Sequence, residues 1–194
     1  MIFTKNPVAG KVKTRLAKDL GPEKALEVYE FLLQHSHKIT APLKVHKQVY
    51  YSSNIEENDL WNTGGFAKKL QKDGDLGEKM HAAFVEAFKQ GYKKVIIIGS
   101  DLYDISSADI EAAFMDLEKH DYVIGPAQDG GYYLLGMKAV NSELFVNKQW
   151  STSSVFEDSL NNMRDGKIKV QPVKNDIDTF DDIKDHSAFQ NLIK

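Results

Sequence analysis

An α/β fold with a mostly parallel central sheet is what this sequence predicts, and three observations predict it. Short apolar runs alternate with helical patterns along the chain, the form taken by a sheet covered by helices on both faces. One run, Lys94-Val-Ile-Ile-Ile98, is continuous and β-branched, which suits a strand buried on both sides. The segment after the first short run is basic throughout, and it concentrates positive field at one strand end.

Met1 to Thr4 reads as the first strand; its shortness leads us to expect native residues ahead of Met1. Gly21-Pro22-Glu23 opens a helix with proline in its first turn and an apolar stripe at Leu26, Tyr29, Leu32 and Leu33. Val45 to Tyr51 and Phe66 to Gln71 follow as strands. Leu76 to Gln90 is a helix through Met80, Phe84, Ala87 and Phe88, closed by Gly91. After Lys94–Ile98, Ser106-Ser-Ala-Asp109 forms a capping box before a helix to about Lys119. Strands at Tyr122 to Gly125 and Tyr132 to Met137 come next, then a helix over Val155 to Arg164 and a strand over Ile168 to Val173. A last helix is expected with Thr179 as its cap and Asp182 three residues on. No repeat, linker or low-complexity tract interrupts residues 1–194, which are expected to form a single domain.

At 194 residues the chain should bury roughly 70% of the surface its unfolded form exposes. A balance of 25 basic against 28 acidic residues argues against a nucleic-acid partner. With no cysteine, a thiol nucleophile and thiolate metal sites are excluded. No apolar run has the length of a membrane span and no signal-like segment opens the chain, so a cytoplasmic location without a membrane partner is expected.

The basic segment holds Lys5, Lys11, Lys13, Arg15 and Lys18 before the first carboxylate, Asp19. It fails the Walker pattern, because Val12 follows Gly10-Lys11 and no glycine stands five residues earlier; no GxGxxG occurs either. Pro7 and Gly10 would tighten the loop, and Lys13 and Arg15 would grip phosphates; the plain alternative is a solvated basic loop. Gly99-Ser100-Asp101 lies at the carboxyl end of the buried strand, where open α/β sheets bind ligands. There a carboxylate can hold Mg²⁺ together with substrate phosphates, or simply turn the loop. Asp178 offers a second carboxylate, or ordinary helix-start chemistry. Asp129-Gly130-Gly131-Tyr132 is either a hairpin turn or a surface for a ligand ring. Gly74-Asp75-Leu76-Gly77 is either a turn and cap or a backbone cradle, and Trp150-Ser151-Thr152 is either core plus a cap or a substrate contact.

Five ordered motifs, F-T-K-N-P-x-x-G-K-V-K-T-R-L, G-D-L-G-E-K-M, G-S-D, D-G-G-Y-Y-L-L-G and D-I-D-T-F-D-D, together resemble a bacterial glycosyltransferase-like family. That family belongs to the nucleotide-diphospho-sugar transferase (GT-A) superfamily, and the resemblance extends distantly to phospholactate guanylyltransferase and the molybdenum-cofactor nucleotidyltransferases. It implies a Rossmann-like GT-A three-layer αβα sandwich. Lys5, Pro7, Gly10, Lys13, Arg15 and Ser100 would then bind the nucleotide phosphates, with Lys13, Arg15 and Asp101 catalytic. Asp101 and Asp178 would hold Mg²⁺ or Mn²⁺, and Asp75, Asp129, Gly130, Gly131, Tyr132 and Trp150 would face the acceptor. The chain departs from the pattern where proline is common, carrying Ala9, Tyr103 and Phe180. The expected function is nucleotidyl transfer from an NTP to a phosphorylated small molecule with release of pyrophosphate. Glycosyl transfer from a nucleotide sugar is the first alternative and a non-catalytic nucleotide-binding module the second.

Overall fold

The β-branched run sits at the centre of the sheet, and its alternate side chains enter two different cores. The computed structural model describes residues 1–193. Seven strands, β1 (Ile2–Thr4), β2 (Lys47–Tyr51), β3 (Phe66–Leu70), β4 (Val95–Gly99), β5 (Tyr122–Pro126), β6 (Tyr132–Met137) and β7 (Ile168–Val170), form one sheet in the order β3-β2-β1-β4-β6-β5-β7. β6 runs antiparallel to both its neighbours, and every other pairing is parallel.

Among the described residues, five α-helices accompany the strands: α1 (Ala17–Leu20), α2 (Pro22–Thr40), α3 (Leu76–Lys89), α4 (Ser107–Lys119) and α5 (Val155–Asn162). Ile96 and Ile98 of β4 pack with Tyr29, Leu33 and Ile39 of α2 and with Ile110, Ala113 and Leu117 of α4. Val95 and Ile97 turn to the other face, onto Met80, Phe84 and Ala87 of α3 and Met163 beyond α5. A strand loaded from both sides must be apolar throughout, which is why this run lacks polar alternation. Two of the helices carry reciprocal caps, Asp75 with Glu78 on α3 and, as expected, Ser106 with Asp109 on α4.

The last helix is the one expected element that does not form. The Asp182 carboxylate accepts from the backbone N–H of Asp178 and of Thr179 and from the Thr179 hydroxyl, so the cap chemistry is present. The chain beyond this cap runs through tight turns and ends in a 3-10 turn at Ser187–Phe189. Ile177, Ile183 and Phe189 all enter one cluster with Leu16, Ala25, Val28 and Leu32, on the outer face of α2. On an α-helix Ile183 and Phe189, six residues apart, would point about 120° away from each other, and the broken path brings both into the same cluster.

Phe189 is fully buried in this third cluster. Phe189→Ala should cost about 3–5 kcal/mol, read as a lowered urea midpoint; a cost below about 1 kcal/mol would show that the tail does not depend on it.

Candidate active site

Val12 is 1% exposed and Leu16 0%, so the basic segment is anchored in the interior at these two positions, while Lys5, Lys11, Arg15 and Lys18 stay exposed. The anchoring draws Lys13 between them, buried and in the left-handed backbone region at φ 46°. Its carbonyl accepts from the N–H of Ala17, starting the turn into α1. On the other side Asn6 is buried and clamps the loop after β2: its amide donates to the carbonyl of Asn54, and its side-chain oxygen accepts from the N–H of Ser53. Both contacts fix the loop over the carboxyl ends of β1 and β4, where a cavity of about 430 Å³ opens.

Lys13 is the electrostatic centre of this cavity. Its Nζ lies 3.1 Å from Asp101 Oδ2 and 4.0 Å from Asp178 Oδ1, and Arg15 donates to Asp178 Oδ2 at 2.9 Å. The Lys13 side chain is only 6% exposed, whereas Asp101 opens to the cavity at 44%. Burial pulls the Lys13 ammonium down, but Asp101 foremost, with Asp178 and Asp176, holds it above its ordinary value. Burial likewise pushes the Asp101 carboxyl up, and Lys13 overcomes this and keeps it below the usual range. Asp176, left outside the pairing, is pushed up to about 6 by burial and by the charges of Asp101 and Asp129.

Beneath the pair lies a buried hydroxyl network. The Tyr29 hydroxyl is within 3.1 Å of Thr4 Oγ1 and 3.2 Å of Ser100 Oγ, and it accepts from the N–H of Lys5 at 2.9 Å. It therefore ties the ends of β1 and β4 together below the lysines. Gln71, at the end of β3, donates to the carbonyls of Thr4 and Tyr50 and closes the cavity floor on that side.

The far wall comes from the loop between β5 and β6 and from the segment before α5. Gly130 has φ 89°, and a Cβ there would stand 2.3 Å from the Ser153 carbonyl oxygen, so only glycine lets the two segments touch. Trp150 lies over Gly77, where a Cβ would come within 2.6 Å of the indole. The Trp150 Nε1 is buried and meets no hydrogen-bond partner. Tyr132 reaches from the hairpin to the sulfur of Met80.

Of the residues singled out in the sequence, Lys5, Lys13, Ser100, Asp101, Asp129, Gly131, Tyr132, Trp150 and Asp178 line the cavity. Arg15 stands at its edge through Asp178. Pro7 and Gly10 are exposed in the loop and do not line the cavity, and Gly130 lies behind the wall it shapes. Asp75 caps α3, while its neighbour Leu76 lines the cavity. Sequence reasoning missed Tyr29, Gln71 and Asp176 as site residues; for Gln71, its place at a strand's carboxyl end was an available signal.

Among the described residues no three histidine or acidic side chains converge as a metal cage. Two hard carboxylates do share one cation, the Lys13 ammonium, and that donor set fits Mg²⁺ or Mn²⁺, which take one or two carboxylates and complete their shell with water and phosphate oxygens.

A family model described as "Uncharacterized protein conserved in bacteria (DUF2064)" matches residues 36–152. A crystal structure from Desulfovibrio desulfuricans G20, of a protein named as a candidate nucleotide-diphospho-sugar transferase, is 31% identical with a TM-score of 0.85, over 97% of this chain and 89% of its own. The 4-diphosphocytidyl-2C-methyl-D-erythritol synthase of Anaerococcus prevotii DSM 20548 is 12% identical, with a TM-score of 0.60 over 98% of this chain and 95% of its own. Rv0371c of Mycobacterium tuberculosis H37Rv, in complex with manganese, is 10% identical, with a TM-score of 0.55 over 99% and 96%. The last two share the fold alone. No curated protein sequence matches.

The raised Asp176 carboxyl binds its proton more tightly folded than unfolded, so its contribution to stability is full below the unfolded value of 3.8 and is lost as pH rises through about 6. Asp176→Asn should therefore raise the Tm of the metal-free protein by about 2–4 °C at about pH 7.5, and by much less at about pH 4.5. An equal change at both pH values in thermal melts would refute the assigned repulsion.

Proposed function

The chain belongs to the bacterial DUF2064 family, within the nucleotide-diphospho-sugar transferase superfamily, and we propose that it transfers a nucleotidyl group from an NTP to a small acceptor, releasing pyrophosphate. It is a transferase of the GT-A type. The observation that carries the finer reading is the grouping of Lys13 and Arg15 with Asp101 and Asp178 at the carboxyl ends of β1 and β4, with Lys5 beside them in the same cavity.

Lys5, Lys13 and Arg15 provide flexible and planar cations on one side of the cavity, suited to the β and γ phosphates. Asp101 and Asp178 would hold Mg²⁺ or Mn²⁺, which when bound supplies charge neutralisation at the phosphate oxygens. The acceptor oxygen attacks the α-phosphorus, the bond to the bridging oxygen breaks, and pyrophosphate departs with its charge met by Lys13 and Arg15. No side-chain nucleophile is needed. Tyr29 keeps Lys5 and Ser100 in register, and Tyr132 and Trp150 form the opposite wall of the cavity.

One observation favours glycosyl transfer as a second reading. The acceptor wall carries Asp129 and Asp176 with aromatic surfaces, and Lys5 and Lys13 are the only cations among the described residues lining the cavity. A hydroxylated acceptor meets complementary groups there, whereas a phosphorylated one competes with the nucleotide for the same lysines. The released product separates the two, pyrophosphate from an NTP or nucleoside diphosphate from a sugar nucleotide.

Asp101→Asn should lower metal-dependent turnover by about a hundredfold or more with the fold retained by circular dichroism. Near-normal product formation in that variant would remove Asp101 from the site.

A further inference from the structure

The two carboxylates that fit a metal are already neutralised by the protein itself. Asp101 Oδ2 receives Lys13 Nζ at 3.1 Å; Asp178 has one oxygen 4.0 Å from the same ammonium and the other 2.9 Å from Arg15. Magnesium takes carboxylate oxygens at about 2.0–2.1 Å, so it competes with Lys13 for these two carboxylates. The repulsion between a divalent ion and an ammonium whose side chain is 6% exposed is poorly screened. The backbone of Lys13 is held by Val12 and Leu16, so the ammonium can withdraw only by swinging its side chain.

We propose that Lys13, assisted by Arg15, is an internal counter-ion that antagonises metal binding in the nucleotide-free protein. Polyphosphate draws both cations off Asp101 and Asp178 and thereby opens the metal site. Metal and nucleotide then each tighten the other's binding by the same factor, because coupling between two equilibria is reciprocal. This rests on the reading of the cavity as a metal-assisted nucleotide site, and it adds an order to it: the phosphates arrive with the metal or before it. A lysine that only touches phosphate would leave metal affinity unchanged in the absence of nucleotide, and a lysine needed only for packing would weaken it when replaced.

The test is titration of Mn²⁺ alone into nucleotide-free protein, with unbound Mn²⁺ read by electron paramagnetic resonance. Lys13→Met should bind Mn²⁺ about tenfold more tightly than the wild type, although it loses turnover. Arg15→Gln should show a smaller gain in the same direction, and adding Asp101→Asn to either should abolish it. A folded Lys13→Met protein with unchanged or weaker Mn²⁺ affinity overturns the proposal. If that variant does not fold, the decision passes to Arg15→Gln, whose parent side chain is 67% exposed, and unchanged affinity there overturns it equally. The two readings fail separately. Tighter Mn²⁺ binding without nucleotide turnover in the wild type keeps the antagonism and removes nucleotidyl transfer; turnover without the gain does the reverse.

Discussion

A lysine ammonium buried at the mouth of the central strand cannot stand alone, and satisfying it organises most of this structure. Its two partners come from 88 residues downstream, at the end of β4, and from the tail near the other end of the chain. An unpaired charge in that position would carry a desolvation cost that neither segment could offset by packing. The basic loop, the strand end and the tail must therefore arrive together. The pairing is weak evidence for net stability, since two charges leave water to make it, but it is a strict condition on geometry. That geometry sets a cation and two carboxylates side by side at the cavity.

Helix α2 makes the arrangement reproducible because both of its faces are used. Tyr29, Leu33 and Ile39 face the sheet, and the Tyr29 hydroxyl reaches the ends of β1 and β4. Ala25, Val28 and Leu32 face outward and receive the tail through Ile177, Ile183 and Phe189. One rigid element thus measures the distance between Asp101 and Asp178. A backbone bond from the N–H of Ile177 to the carbonyl of Asp101 at 3.1 Å fixes their relative height.

Much of this was legible in the sequence, for definable reasons. A strand buried on both sides must read as an unbroken β-branched run, and a carboxylate just past its end falls where α/β sheets bind ligands. The capping boxes at Asp75 and Ser106 are local chemistry and appear in the chain as written. Tyr29 was hidden because a tyrosine in an apolar stripe reads as core, and only the folded sheet shows what its hydroxyl meets. Asp176 was hidden because its unusual proton affinity comes from Asp101 and Asp129, both far away in sequence. The tail failed for a related reason: Thr179 and Asp182 gave a sound local helix signal, but the outer face of α2 takes both Ile183 and Phe189, which a helix would point about 120° apart. The seat of Trp150 on Gly77 likewise joins two segments that nothing local connects.

The same reasoning accounts for Tyr103, which stands where the resembling family commonly has proline. Proline stiffens a loop by narrowing its unfolded ensemble, an effect of about 0.4–1 kcal/mol. Tyr103 instead holds the loop by contact. Its ring stacks on Phe31 at 5.6 Å and meets His35 at 4.6 Å, His186 at 5.1 Å and Phe189 at 5.2 Å. Aromatic pairs contribute about 0.5–1.5 kcal/mol each beyond area burial, so several of them together match or exceed what the ring constraint supplies. The substitution also changes where the rigidity comes from. A proline would stiffen the segment after Asp101 by itself, whereas Tyr103 stiffens it only when α2 and the tail are both in place. The carboxylate at the end of β4 is thereby ordered by the same docking that delivers Asp178, and the two carboxylates are placed as one unit.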